Sequence, residues 1–310
     1  MAVLLSTKSG AMEDWRAALL AEDSSLDIRM FPDAGDPAVI EAAVVWTAHD
    51  MAELRRYPNL RLIVSMGAGV DHLLRPPGPP PGVPVARLKD ARLTQGMTEW
   101  VALNTLRFHR QDPEYRALQK ARRWEELPAP DTASRRVGML GLGELGAAAA
   151  AALQALGFRV MGWSRTPKAL AGVECFHGTG GFDAMLASSA ILVCLLPLTL
   201  ETRGLLDRRA FDLLPYGAYL LNAARGGHVV QDDLIAALDV GRIAGAALDV
   251  FEPEPLPEDH PFWNDPRVIM TPHAASITIP SSAAPQVVEN LLRARSGRPL
   301  LNLVDFQAGY

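Results

Sequence analysis

Arg136-Val137-Gly138-Met139-Leu140-Gly141-Leu142-Gly143-Glu144-Leu145-Gly146, followed by a run of alanines from Ala147, is the stretch that decides the fold. The short apolar run predicts a strand, three glycines follow at G-x-G-x-x-G spacing, and Ala147 to Leu156 predict a helix. A dinucleotide needs that order. The first glycine permits the tight strand-to-helix turn, the second lets backbone approach a pyrophosphate, and the third lets helix and strand pack closely. The helix N-terminus then offers free N–H groups and partial positive charge to the phosphates, so Gly141, Gly143, Glu144, Leu145 and Gly146 are candidate cofactor-binding residues.

Working outward, the first hundred residues alternate short apolar runs with amphipathic segments. Val3 to Ser6, Ala43 to Thr47 and Leu62 to Met66 predict strands, and Ala11 to Ala21 a helix. After the glycine turn, Phe158 to Trp163, Ile191 to Leu196, Ala218 to Asn222, Gly245 to Val250 and Val268 to Thr271 continue a βαβ rhythm, which implies parallel sheets. Thr94 to about Trp124 predicts helix broken at Pro113, and the loop Pro128 to Ser134 reads as an entry to the second domain. The segment from about Ser281 to Arg295 predicts one helix that returns to the first domain. The expected class is α/β, with two Rossmann-like doubly wound parallel-sheet domains and a cleft between them. Residues 1–97 plus 278–310 form a discontinuous substrate domain, and 98–277 the cofactor domain.

Composition narrows the class. At 310 residues the chain suggests about two domains, and 49% hydrophobic with 21% charged residues is ordinary for a globular protein. A formal net charge of −5 without a Lys/Arg run argues against a nucleic-acid partner. No apolar stretch approaches the ~20 residues that span a bilayer, and the N-terminus turns polar too soon for a signal segment. Two cysteines make no disulfide framework: Cys194 reads as a small buried hydrophobe, Cys175 lacks metal-ligand spacing, and no metal site is expected. These features imply a soluble, cytoplasmic protein with no membrane partner.

The second strand of a Rossmann unit ordinarily ends in an acid that bonds the ribose hydroxyls. Here it ends Trp163-Ser164-Arg165-Thr166-Pro167-Lys168, with no carboxylate. Ser164, Arg165, Thr166 and Lys168 suit a 2′-phosphate, because a guanidinium gives bidentate charge-assisted bonds and an acid would repel the anion. The expected cofactor is NADP, as NADPH, with NAD used less well.

Four later segments place chemistry at strand ends, where ligands bind in open parallel sheets. They are Leu195 to Thr199, Leu221 to Gly227, Leu248 to Pro255 and Thr271 to Ala275. Arg225 can hold a carboxylate and polarise an adjacent carbonyl, and His273 can deliver the proton that accompanies a hydride. A neighbouring carboxylate favours the imidazolium and orients the ring; Glu254 is the natural partner, although Glu252 could also reach.

Together these segments resemble the D-isomer-specific 2-hydroxyacid dehydrogenase family, and more closely its glyoxylate/hydroxypyruvate reductase branch. The ordered matches include Gly67-Ala68-Gly69-Val70-Asp71, the glycine turn, Trp163 to Thr166, Ala218 to Asn222, Arg225-Gly226, Leu248 to Phe251, Glu254-Pro255-Leu256-Pro257 and Thr271-Pro272-His273. The resemblance implies that Arg225 binds the 2-oxo acid, that Glu254 pairs with His273, and that His273 is the general acid in reduction. It implies that Gly69 and Val70 offer N–H groups to the substrate carboxylate, with Trp46 and Met97 near the substrate. It further implies that Asp249 holds the nicotinamide carboxamide, and that Leu196, Pro197, Thr199, Ala223, Ala224 and Ala275 line the cofactor. The implied activity is NADPH-dependent reduction of glyoxylate or hydroxypyruvate to the 2-hydroxy acid by a homodimer whose domains close over the substrate. The family pattern, with the acid immediately before Pro-Leu-Pro, selects Glu254 over Glu252.

Other readings compete. A dinucleotide-sensing protein of the same fold could keep the Arg-Glu-His set, and a relative acting on a bulkier 2-oxo acid would look similar. Formate oxidation is disfavoured, since those relatives pair the His with an amide. His72 reads as packing and Asp71 as a helix N-cap, while His228, near Arg225, is a candidate for touching loop or cofactor. His49 and Asp50 match no known specificity.

Overall fold

The computed structural model of the chain describes residues 2–7, 11–46, 51 and 53–307. The chain divides into two compact units, one made of Met1–Leu93 with Ile277–Tyr310, the other of Thr94–Ser276. The named strands of each unit pair in parallel.

The first unit runs β1 (Ala2–Ser6), α1 (Met12–Glu22), β2 (Asp27–Met30), β3 (Ile40–Val45), β4 (Leu62–Ser65), α2 (Asp71–Leu74) and β5 (Val85–Ala86). Its sheet order is β2-β1-β3-β4-β5. The three middle strands are almost wholly apolar because both faces of the sheet are covered. On one face Val3, Leu5, Val44 and Val64 pack with Trp15 and Leu19 of α1 and with Ala283, Ala284, Val287, Val288 and Leu291 of the C-terminal helix Pro280–Ser296. Those five positions form one stripe at helical spacing, which is why the C-terminal segment folds back onto this sheet. Leu4, Ile40, Ala43, Val45 and Ile63 cover the other face with Leu54 and Leu73.

The second unit contains α3 (Ala91–His109, from Thr94 onward), α4 (Asp112–Lys120), β6 (Arg136–Leu140), α5 (Glu144–Ala155), β7 (Arg159–Ser164), β8 (Glu174–His177) and α6 (Gly178–Leu186). It continues with β9 (Ile191–Cys194), α7 (Arg208–Leu213), β10 (Ala218–Asn222), α8 (Gln231–Asp239), β11 (Ile243–Leu248) and β12 (Val268–Met270). The C-terminal helix of the first unit completes the series as α9. The seven-stranded order β12-β11-β10-β9-β6-β7-β8 reverses direction between β6 and β9, which is the topological switch point of a doubly wound sheet. Separate apolar clusters cover its two faces.

Several boundaries differ from those read from sequence. The helix after the glycine turn begins at Glu144, three residues before the alanines, because Gly143 is its N-cap. Pro113 does not interrupt a helix; it sits in the first turn of α4, where a missing N–H costs nothing, and the break falls at Gln111 in the left-handed region. Met97 belongs to the second unit, packed with Trp100, Val101 and Phe108 of α3, so residues 128–134 lie inside that unit and are not its entry. Asp71 is the first residue of α2 and faces Arg75; the N-cap is Val70, without a side-chain cap.

Candidate active site

The cofactor end is built at the switch point. Gly141 has φ +100°, and a Cβ there would lie 2.8 Å from the Leu195 carbonyl oxygen, so the turn after β6 presses on the turn after β9. A Cβ at Gly146 would collide with the Gly141 carbonyl, while one at Gly143 would meet no protein atom within 4 Å. The third glycine therefore closes the turn and the second faces open space. The first α5 hydrogen bond runs from Ala147 N–H to the Gly143 carbonyl at 2.8 Å, so the N–H groups of Glu144, Leu145 and Gly146 precede the helical ladder. This cradle fits a pyrophosphate.

Ser164 ends β7, and Arg165, Thr166 and Lys168 follow it in the next loop. The Ser164 hydroxyl donates to the Thr166 carbonyl at 2.8 Å and shapes the loop. Lys168 Nζ donates to the Leu142 carbonyl at 2.8 Å, tying the basic loop to the glycine turn and placing its ammonium there. Beyond β9, Thr202 Oγ1 donates to the Pro197 carbonyl at 2.7 Å and accepts from Thr199 N–H at 2.8 Å, which folds the segment Leu196 to Thr199. Ala223 and Ala224 follow β10, with Ala224 N–H donating to Asn222 Oδ1 at 3.1 Å.

A histidine–glutamate pair follows the strands β11 and β12 of the same sheet. His273 Nδ1–H donates to Glu254 Oε2 at 2.9 Å, and Phe251 N–H donates to Glu254 Oε1 at 2.9 Å. Burial pushes the Glu254 carboxyl up, but the hydrogen bonds from His273 and Phe251 and the charges of His273 and Arg225 outweigh it and hold the group below the ordinary glutamate value. Because a carboxylate only accepts, Nδ1 carries the hydrogen of this bond and Nε2 is the ring nitrogen turned away from Glu254. Glu252 is engaged elsewhere, 2.6 Å from Arg203. The geometry thus separates two acids that spacing alone leaves equivalent.

Arg225 lies three residues after β10 with an extended backbone and donates from Nη1 to the Ala224 carbonyl at 2.7 Å. Gly226 is required by space, because a Cβ there would strike the Phe251 carbonyl; one at Gly227 would lie 2.7 Å from Glu252 Oε2, the end of a side chain that can shift. Asp249 is buried, and its Oδ1 accepts from the Thr271 hydroxyl at 2.5 Å and from the N–H groups of Ala274 and Ala275 at 2.8 and 2.9 Å. His228, fully buried, has its ring nitrogens 3.0 Å from the Arg225 carbonyl and 3.3 Å from the Pro197 carbonyl. It links the arginine loop to the cofactor-lining loop, a role that no spacing signalled. Among the described residues no group of His, Cys, Asp and Glu is arranged to hold a metal.

In the first unit, Gly69 and Val70 follow β4, and Val70 is buried at the start of α2. Trp46 directly follows β3, and a Cβ at Gly67 would strike its ring, so the glycine loop and the indole pack against each other. His72 bonds the Trp46 carbonyl through Nε2 and meets its ring edge-on, centroids 4.7 Å apart, which gives it a packing partner. His49 and Asp50 lie outside the described residues.

Residues 103–275 match the family model described as D-isomer specific 2-hydroxyacid dehydrogenase, NAD binding domain. The chain is 41% identical over 304 residues to the glyoxylate/hydroxypyruvate reductase A of Serratia proteamaculans, covering 96% of each. It is similar, at 46% identity and a TM-score of 0.95 over 100% of this chain and 99% of that one, to a D-isomer specific 2-hydroxyacid dehydrogenase from Xanthobacter autotrophicus solved with NADPH and MES. An NADPH-dependent glyoxylate/hydroxypyruvate reductase from Sinorhizobium meliloti, solved with NADP and sulfate, matches at 39% identity and a TM-score of 0.93, over 100% of this chain and 99% of that one. With likeness of sequence and fold over nearly the whole length, the chain belongs to the D-isomer specific 2-hydroxyacid dehydrogenase family of oxidoreductases.

Proposed function

We propose that the protein uses NADPH to reduce a small 2-oxo acid, glyoxylate or hydroxypyruvate, to the 2-hydroxy acid, with His273 as proton donor. The observation that carries this reading is the 2.9 Å contact between His273 and an ionised Glu254, beyond the ends of β12 and β11 in the sheet whose β6 leads into the glycine cradle. Bound NADPH supplies the hydride to the carbonyl carbon. Arg225 holds the substrate carboxylate and draws electron density toward the carbonyl oxygen. His273 Nε2–H gives its proton to that oxygen as the C–H bond forms, and Glu254 stabilises the imidazolium that enters the step. Gly69 and Val70 bind the carboxylate through N–H groups, Trp46 and Met97 border the substrate, and Asp249 accepts from the nicotinamide carboxamide.

Preference for NADPH over NADH rests on Ser164, Arg165, Thr166 and Lys168 standing where an acid would select NAD. It is supported by the relatives solved with NADPH or NADP. We further propose a homodimer formed through the cofactor unit, whose surface leaves Leu103, Tyr115 and Trp124 exposed. The two free cysteines suit a cytoplasmic setting.

The deciding experiment follows NADPH oxidation with glyoxylate, hydroxypyruvate and a bulkier 2-oxo acid. The expected result is turnover of the two small acids at higher kcat/KM than the bulkier one. A reversed order reassigns the substrate, and tight NADPH binding with no turnover of any oxo acid replaces the enzyme with a dinucleotide sensor.

A further inference from the structure

His273 occupies the left-handed backbone region at φ +53°, which a non-glycine residue holds only when its surroundings impose it. Asp249 does the imposing. Its main-chain carbonyl accepts His273 N–H at 2.7 Å, and its Oδ1 accepts the next two N–H groups, those of Ala274 and Ala275. Three successive amides thus converge on one aspartate, and the direction of the imidazole depends on how that aspartate is set.

The setting comes from α3. The Thr271 hydroxyl donates to Asp249 Oδ1 at 2.5 Å, and its oxygen accepts from Trp100 Nε1–H at 3.1 Å. Trp100 is buried among Met97, Val101, Met139 and Ala275, so its indole cannot turn to solvent for another acceptor. One turn earlier on the helix, Gly96 approaches the end of the same loop so closely that a Cβ would lie 3.0 Å from Ser276 Oγ. The helix therefore backs the loop at both ends. From this chain of donors we infer that Trp100 and Thr271 are positioning residues for the reaction: the indole orients the hydroxyl, the hydroxyl fixes the Asp249 carboxylate, and Asp249 fixes the turn that aims His273.

The inference rests on His273 being the proton donor, so the test carries Thr271→Val, Thr271→Ser, Trp100→Phe and His273→Ala together, assayed with NADPH and glyoxylate in H2O and D2O. Valine keeps the shape of threonine without its hydroxyl. Thr271→Val is expected to lower kcat by about 10- to 100-fold, the range seen when a partner that orients a site residue is removed. Its KM for NADPH should move by less than about threefold, and its solvent isotope effect on kcat should rise as proton transfer becomes slower. Thr271→Ser restores the hydroxyl and should recover most of kcat, with Trp100→Phe in between.

Parental kcat and isotope effect in Thr271→Val, beside an inactive His273→Ala, would overturn the positioning role alone. Equal damage in the serine and valine variants would do the same, since the hydroxyl would not be the cause. Full turnover by His273→Ala would remove the proton donor and the positioning role together. If Thr271→Val melts before assay temperature, Trp100→Phe decides, and parental kinetics there overturn the inference.

Discussion

At the residue scale the proposed chemistry depends on one imidazole hydrogen-bonded to a carboxylate. His273→Ala should lower kcat far more than it raises KM, because the proton donor acts in the transition state; near-normal kcat in steady-state assays would remove it from the role. Glu254 is held below its usual carboxyl value and is ionised at neutral pH. Reduction by the proposed step consumes a proton, so the rate should fall as pH rises. Glu254→Gln removes the anion, and the falling limb of kcat/KM against pH should move to lower pH. An unmoved limb would transfer suspicion to Glu252, whose partner in the structure is Arg203. Arg225→Lys should also be damaging, by a rise in KM for the oxo acid, because a point charge does not reproduce the planar fork.

At the scale of elements, the strand–turn–helix unit around Gly141 separates two functions of glycine that its motif lists together. Gly146→Ala places a methyl against the Gly141 carbonyl and should lower Tm as well as NADPH affinity. Gly143→Ala points into open space with an extended backbone, φ −77° and ψ −167°, so Tm should stay near the parent while NADPH binding weakens. Thermal melts with NADPH titration check both, and equal loss of Tm in the two variants would contradict the division. Elements with strong apolar runs, such as β4, β9 and β10, were legible in sequence because both their faces are buried. The edge strands β2 and β8, Asp-Ile-Arg-Met and Glu-Cys-Phe-His, carry polar residues and no alternating face, so nothing local distinguished them from loop.

At the scale of the whole molecule, cofactor binding should couple to stability. A ligand present at about 100 times its Kd adds about 2.7 kcal/mol to the state that binds it, so NADPH should raise the Tm of the protein by several degrees and NADH by less. Comparison of kcat/KM for the two cofactors tests the same preference, and equal values would contradict it.

Sequence alone determined the α/β class, the glycine cradle, the basic loop at Ser164 to Lys168 and the strand-end positions of Arg225, Asp249, Glu254 and His273. These features are set by local order: apolar runs, spacing, and residue types at the ends of runs. Tertiary structure decided which groups meet. It gave His273 to Glu254 and Arg203 to Glu252, buried His228 between two loop carbonyls, and set Trp100 and Thr271 behind Asp249. Trp100 and Thr271 are separated by 171 positions. No periodicity links positions so far apart; the folding of α3 against the end of the sheet does.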